Sequence, residues 1–329
     1  MVSVAVLAPA ETASISMTGL FDIIGKADRA FGALRGRPGL DSMFVTSLVS
    51  LDGQPVRYRD RVTVNVDIAA PAVGDVDLVV VPGLDDDLEP SFEQNAAWAP
   101  WIARWHKAGA VVASSCSGAF LLAKAGLLDG RTATTHWMYA EELQRWFPRV
   151  KVLPERLLID LGDVITSGGA TTFLDLALYL VERFAGRERA NAAARVLLID
   201  GARSSQLPYV SLGAAHREHD DGLVHRAQDL IDADLGGRLV IDDLARHVGL
   251  SSRTLARRFQ YALGRAPQAY IQRRRIDVAQ RLLETTDSPI DSVRSRVGYR
   301  DATSFRRAFR RVTGLSPSEY RDRYGWPAT

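Results

Sequence analysis

Two groups of side chains in this 329-residue chain have types and spacing suited to chemistry. The first is built around the single cysteine, in the run Val111-Val112-Ala113-Ser114-Ser115-Cys116-Ser117-Gly118-Ala119-Phe120. A strand-like stretch enters small residues, turns at Cys116 and continues as a helix, the elbow that presents a nucleophile at a helix N-terminus. Unpaired amides and the helix dipole there are expected to lower the thiol pKa and to hold an anion. Cysteine hydrolysis also needs a base beside the thiol and a third group that orients it. The next residue is Ser117, and His136, followed by Trp137, can approach only through the fold, with no carboxylate partner evident. Cys116 therefore reads as part of a ligand pocket; the alternatives are a small residue packed in a tight turn, a reactive redox or electrophile sensor, and a cysteine-dependent hydrolase or glyoxalase-like enzyme.

The second group is arginine, set within a pattern written twice. The first copy runs Ile241-Asp242-Asp243-Leu244, then Val248-Gly249-Leu250, Leu255, Phe259, Gly264, Pro267 and Tyr270. The second runs Ile290-Asp291-Ser292-Val293, then Val297-Gly298-Tyr299, Phe305, Phe309, Gly314, Pro317 and Tyr320. The offset is 49 at the first glycine and 50 from the second aromatic onward, so one residue is inserted just after that glycine. Repeats of this kind precede any judgement of fold. In each copy an apolar i, i+3, i+4, i+7 stripe predicts a short helix, glycine ends it, and a capped second helix follows. That second helix buries Leu255 and Phe259, or Phe305 and Phe309. It leaves Arg253, Thr254, Arg257 and Arg258, or Thr303, Arg306, Arg307 and Arg310, on its other faces. A glycine-turned helix pair with arginines outside is a helix-turn-helix.

Between the copies, Pro267 to Thr286 predicts a helix that joins both units. At about 18 residues it would be about 27 Å long, near the ~34 Å between successive major-groove faces of duplex DNA. A solvated arginine face is the alternative, but charge asymmetry argues for nucleic acid. From Leu223 onward there are 20 Arg, no Lys and 12 acidic residues, a balance of +8, whereas residues 1–222 carry −6 within a chain total of +2. One basic end on a nearly neutral chain points to nucleic-acid binding there.

These motifs, with the Arg275-Ile276-x-x-Ala279-x-x-Leu282-Leu283 strut and Gly314-x-Ser316-Pro317-x-x-Tyr320-Arg321, resemble AraC/XylS-type transcription regulators over roughly the last hundred residues. The resemblance implies promoter DNA as partner, and RNA polymerase if the regulator activates. Carried over by position, it puts Arg253, Ala256, Arg257, Thr303 and Arg307 against bases. Arg257 and Arg307 suit bidentate contact with guanine O6 and N7, and Ala256 at most a thymine methyl. Arg258, Arg306 and Arg310 fall to phosphates. Arg253 and Arg257 make the first reader the more strongly charged, so it is expected to dominate specificity.

The first half alternates strand-like runs (Val2–Leu7, 44–49, 62–66, 77–81, 110–114) with helix-like ones, which predicts a parallel sheet covered on both faces. Ligands in such sheets bind beyond the strand C-terminal ends, where Pro82-Gly83 and Ser115-Cys116 fall. With Cys116, the run Ala123-Lys124-Ala125-Gly126-Leu127-Leu128-Asp129-Gly130-Arg131 to Thr134-Thr135-His136-Trp137 resembles the PfpI / class I glutamine amidotransferase-like superfamily, specifically the sensor domains of GlxA-type regulators. Arg203-Ser204-Ser205-Gln206-Leu207-Pro208-Tyr209 resembles the linker of those regulators. The resemblance implies a flavodoxin-like α/β domain followed by an all-α dual helix-turn-helix domain. It implies a homodimer and a small-molecule effector, amino-acid-like or a quaternary amine among relatives. Hydrolytic relatives carry histidine where Ser117 stands and an acid near the position of Ser16. These departures predict an inactive domain whose pocket comprises Ser16, Gly83, Cys116, Ser117, His136 and Trp137.

The expected domains are 1–185 (sensor), 186–222 (linker with one helix) and 223–329 (DNA reader). A hydrophobic fraction of 47% and a charged fraction of 24% suit a soluble globular protein. One cysteine excludes an internal disulfide and fits a reducing bacterial cytoplasm. The apolar start lacks a basic leader, and no stretch is long enough to span a membrane. The histidines, His216-x-x-His219 included, lack metal-ligand spacing, so no metal and no cofactor is expected.

Overall fold

The aliphatic runs of the first half pair edge to edge in a computed structural model, which describes all residues except 11, 13, 37–41, 59–60, 202, 211–218 and 326–329. His216 and Gly213, both expected in a polar linker, lie outside the described residues. The chain divides into two compact units, Met1–Gln206 and Leu207–Thr329.

The first unit begins with β1 (Val2–Leu7), α1 (Ser14–Leu34), β2 (Phe44–Ser50), β3 (Val56–Tyr58), β4 (Val62–Val64), β5 (Ile68–Ala69) and β6 (Leu78–Val81). It continues through α2 (Leu88–Asn95), α3 (Ala99–Lys107), β7 (Val111–Ser115), α4 (Ala119–Lys124), β8 (Thr132–Ala133), α5 (Ala140–Trp146) and β9 (Lys151–Val152). It closes with β10 (Leu158–Asp160), β11 (Val164–Ser167), α6 (Phe173–Ala185) and α7 (Arg187–Val196). The main sheet has the order β10-β11-β7-β6-β1-β2-β5. Its pairings are parallel except that of β10 with β11. Strands β2-β1-β6-β7-β11 follow the flavodoxin-like order, and the direction of growth reverses between β1 and β6.

Alternation along the strands builds two cores, because successive side chains point to opposite faces. Val4, Val6, Leu78 and Val80 meet Leu20, Ile24, Leu176 and Leu180 on one face. Ala5, Leu7, Val79 and Val81 meet Trp98, Ile102, Trp105 and Phe120 on the other.

Three features differ from expectation. The 62–66 run does not join the main sheet; β4 pairs antiparallel with β3, and its exposed side chains lack the two-sided burial of a central strand. The antiparallel edge β10 and the short β8–β9 pair are additions that runs of three and two residues do not announce. The helix expected inside a 186–222 linker is α7, whose Ala190 and Ala193 pack into the core beneath α1 and α6. Its small side chains allow that close approach, so the first unit extends to Gln206.

The second unit contains α8 (Gly222–Ala233), α9 (Ile241–His247), α10 (Ser252–Leu263), α11 (Pro267–Thr285), α12 (Ile290–Arg296), α13 (Ala302–Thr313) and α14 (Pro317–Tyr324). Gly249 and Gly298 end the first helix of each pair at φ +74° and +80°, a conformation that side-chain-bearing residues adopt only with strain. Ser251 and Asp301 cap α10 and α13 by accepting from Thr254 N and Ser304 N. The inserted residue falls in the second turn, where the Arg294 guanidinium donates to the carbonyls of Tyr299 and Arg300 at 2.7 Å each. Leu255, Phe259, Tyr270 and Ile271 form one core with α8 and α9. Ile276, Ala279, Leu283, Phe305, Phe309 and Tyr320 form a second. Helix α11 supplies both, as the sequence predicts for a strut, and its 19 residues span about 28 Å.

Because Phe259 and Phe305 are fully buried in separate cores, Phe259→Ala and Phe305→Ala should each cost about 3–5 kcal/mol. The two losses should add in the double variant to within about 0.5 kcal/mol, as read from urea unfolding of the helical unit.

Candidate ligand crevice and nucleic-acid interface

Cys116 stands at the end of β7 with φ +55°, so the elbow expected from the sequence is present. Its amide donates to Gly168 O at 2.9 Å and its carbonyl accepts from Thr135 Oγ1 at 2.8 Å. These bonds tie the elbow to the loops after β8 and β11. Across from it Ala170 is also held at positive φ, +45°. The amides of Ala170 and Ser117 both point at the sulfur.

The expected pocket residues come together at the C-terminal ends of β1, β6 and β7. Gly83 N donates to Ser16 Oγ at 3.3 Å, and a side chain at Gly83 would begin 3.0 Å from Cys116 Cβ. Ser117 Oγ accepts from Leu84 N at 2.8 Å, which locks the β6 loop to the elbow. Ser16, Gly83 and Ser117 are buried. His136 packs on Gly169 so closely that a Cβ there would fall inside the imidazole ring. The His136 ring lies 5.6 Å from the rings of both Trp137 and Tyr139, and all three residues are half-buried.

The electrostatics correct one expectation. Burial pushes the Cys116 thiol up, against the lowering influence of the Ala170 and Ser117 hydrogen bonds, and Asp86 adds to the rise. Desolvation of a thiolate outweighs the few dipoles aimed at it. Burial pulls His136 down, with Asp86 opposing. His136 Nδ1 accepts from Met138 N at 3.1 Å, so the neutral ring carries its proton on Nε2 and its basic nitrogen is occupied. Among the described residues no carboxylate bonds to His136. Burial also holds Tyr139 well above the usual phenol range, reinforced by Asp86, to which its hydroxyl donates.

On the second unit, Arg253 and Arg257 are exposed along α10, and Thr303, Arg306, Arg307 and Arg310 along α13. Among the described residues Arg253, Arg257, Arg306 and Arg307 have no acidic partner. Ala256 is half-buried between them. Thr254 turns to the helix cap, its hydroxyl 2.9 Å from Ser251 Oγ. Arg310 lies 3.5 Å from Glu319. Arg258 donates to Asp221 at 2.8 Å, which in turn caps α8. The phosphate contact expected of Arg258 therefore competes with a fixed ion pair.

The DJ-1/PfpI family model matches residues 3–183, and a helix-turn-helix domain model matches residues 244–323. The chain belongs to the DJ-1/PfpI family, in the branch that carries an AraC-type DNA-binding domain. The regulator GbdR of Pseudomonas aeruginosa is 30% identical over 284 residues, covering 85% of this chain and 74% of GbdR. The regulator CdhR of the same species is 30% identical, covering 83% and 80%, and GlxA of Rhizobium meliloti is 26% identical, covering 68% and 69%. Among solved structures, a Vibrio parahaemolyticus protein superposes with a TM-score of 0.52 at 23% identity, over 60% of this chain and 98% of that one. Drosophila melanogaster DJ-1beta gives 0.50 at 20%, over 60% and 98%; both establish the fold alone. This DJ-1/PfpI chain is thus a DNA-binding transcription regulator. No helix among its described residues is long and apolar enough to cross a membrane.

Asp86 and Tyr139 are the crevice residues that sequence reasoning missed. The signal for Asp86 was the run Asp85-Asp86-Asp87 directly after Pro82-Gly83-Leu84, beyond a strand C-terminus. Tyr139 lies three residues past His136, one turn onward, which only the local helical geometry makes meaningful.

A His136 pKa below the ordinary 6.5 means that the folded state binds fewer protons than the unfolded one. Stability of the first unit should therefore fall as pH drops below 6.5. His136→Gln should flatten that fall, as measured by thermal melts between pH 7 and pH 5. Iodoacetamide should alkylate Cys116 more slowly than a free cysteine at neutral pH, and the rate should rise only under alkaline conditions.

Proposed function

We propose that the first unit is a non-catalytic receptor for a small metabolite bearing an ammonium group. Its occupancy sets how firmly a homodimer of the chain holds promoter DNA. The observation that carries this reading is the exposed carboxylate of Asp86, which acts on Cys116, His136 and Tyr139 alike beside the half-buried rings of His136, Trp137 and Tyr139. An acid among aromatic faces suits a cation, with each ring contributing about 0.5–2 kcal/mol. Quaternary amines and amino-acid-type amines share that chemistry. The raised thiol, the occupied Nδ1 of His136 and the engaged Ser117 hydroxyl weigh against a hydrolase, a glyoxalase-like enzyme or a thiolate sensor, each of which needs an ionised sulfur.

On the DNA side, Arg253, Ala256, Arg257, Thr303 and Arg307 face bases in this reading, and Arg306 and Arg310 face phosphates. Arg258 and Thr254 hold the first reader in shape through Asp221 and Ser251. The register of the repeat supports the pairing of roles: the caps Ser251 and Asp301 and the terminal glycines Gly264 and Gly314 bracket two helices of 12 residues each. Position for position, Arg257 and Arg307 coincide.

Two measurements test this. With a duplex selected by the wild-type chain from a random library, Arg257→Ala and Arg307→Ala should each weaken binding by about 1–3 kcal/mol and relax base choice at one position; unchanged affinity in both would overturn the assignment of these arginines. A thermal-shift panel of quaternary and primary amines should give a stabilisation that grows with concentration. Asp86→Asn should remove it, and a shift that survives this substitution would locate the ligand elsewhere.

A further inference from the structure

Gln206 is the last residue of the first unit, and it is buried to 3% exposure beneath the crevice. Its carboxamide oxygen accepts from Gly169 N at 3.0 Å. Its amide nitrogen donates to Thr135 O at 2.9 Å, Pro154 O at 2.9 Å and Arg156 O at 3.0 Å. A Cβ at Gly168 would collide with this carboxamide, just as one at Gly169 would collide with His136. Gln206 therefore grips two segments beside Cys116: the stretch after β8 through Thr135 into His136, and the glycine pair whose first carbonyl holds the Cys116 amide. The segment that delivers it is itself fastened to the first unit, by Arg203 on Thr171 and Asp175 and by Ser205 Oγ on Glu155 O at 2.8 Å.

Two residues later, Pro208 belongs to the second unit. Its carbonyl accepts from Gln280 Nε2 at 3.0 Å, on the strut α11, and from Tyr320 Oη at 3.3 Å, on α14. Leu207 is thus the only residue between an anchor in the ligand-site walls and an anchor in the core of the second helix-turn-helix.

We propose that Gln206 is a positioning residue that couples the crevice to the DNA reader. Rearrangement of the 135–136 and 168–170 walls on ligand binding moves its carboxamide, and the short covalent step to Pro208 passes that displacement to α11 and α14. This inference rests on the first unit being a receptor, but its test needs no metabolite, because coupling between two sites is reciprocal. Bound DNA must then alter the crevice.

The probe is iodoacetamide, which marks one site because Cys116 is the single cysteine. Its rate is followed by mass spectrometry with and without the selected duplex. In the wild-type chain, saturating DNA should change the alkylation rate by about fivefold or more. A Gly-Ser-Gly insertion between Gln206 and Leu207 alters neither anchor residue, so it should bind the duplex with undiminished affinity yet lose the effect of DNA on Cys116. Gln206→Ala should lose it too, and if that variant fails to fold, the insertion decides alone. A DNA effect that persists across the insertion, or that is absent from the wild type, overturns the proposal. Failure of the receptor reading registers separately, as an empty thermal-shift panel.

Discussion

The arrangement around Cys116 rests on the absence of side chains at Gly168 and Gly169. Only two bare backbone positions at the end of β11 allow the Gln206 carboxamide and the His136 ring to approach from different directions. That loop in turn supplies the carbonyl that fixes Cys116 and the Ala170 amide that faces its sulfur. Cys116 and Ala170 each sit at positive φ without being glycine, at a cost on the order of 1–3 kcal/mol apiece. The hydrogen bonds around them hold that strain in place. Strain at such a turn is usually read as a sign of catalysis, yet here the same geometry surrounds a thiol whose pKa burial pushes up. An elbow fixes where the sulfur is, and its neighbours fix what the sulfur does.

The second unit obeys a different constraint. Two small cores share one helix, and α11 contributes buried residues to both. Arg275 reinforces the join by donating to the carbonyls of Leu235, Gly237 and Gly298, so one guanidinium clasps the end of α8 and the turn of the second helix pair. The spacing of the two reader helices is therefore a property of packed structure and not of a flexible tether.

Much of this was legible in the sequence because it is written in period and punctuation. The duplicated glycines, caps and aromatics reveal both helix pairs and their register, since each is a local requirement of the backbone. The parallel sheet shows in its aliphatic runs, and the elbow in five small residues around Cys116. What stayed hidden depends on contacts between distant residues. Nothing local marks Gln206 as a clamp on loops around a cysteine 90 positions earlier, or α7 as part of the first core. The rise of the thiol pKa is not legible locally, because a dipole can be read from a turn, whereas burial cannot. The Asp221 partner of Arg258 is equally hidden, because it lies 37 positions earlier in the chain.

The arginines of the second unit carry a consequence for how it meets a polyanion. Many of them are already spoken for: Arg258 by Asp221, Arg273 by Asp277, Arg274 by Asp232, and Arg275 and Arg294 by carbonyls. Each phosphate neutralised on duplex DNA releases about 0.9 of a condensed counterion. In the proposed reading the number released follows the guanidiniums that reach phosphates, Arg306 and Arg310 among them, not the formal excess of the unit. Association should accordingly respond to ionic strength as a site with a handful of phosphate contacts does. Discrimination among sequences would then persist at salt concentrations that strip a purely basic surface from DNA.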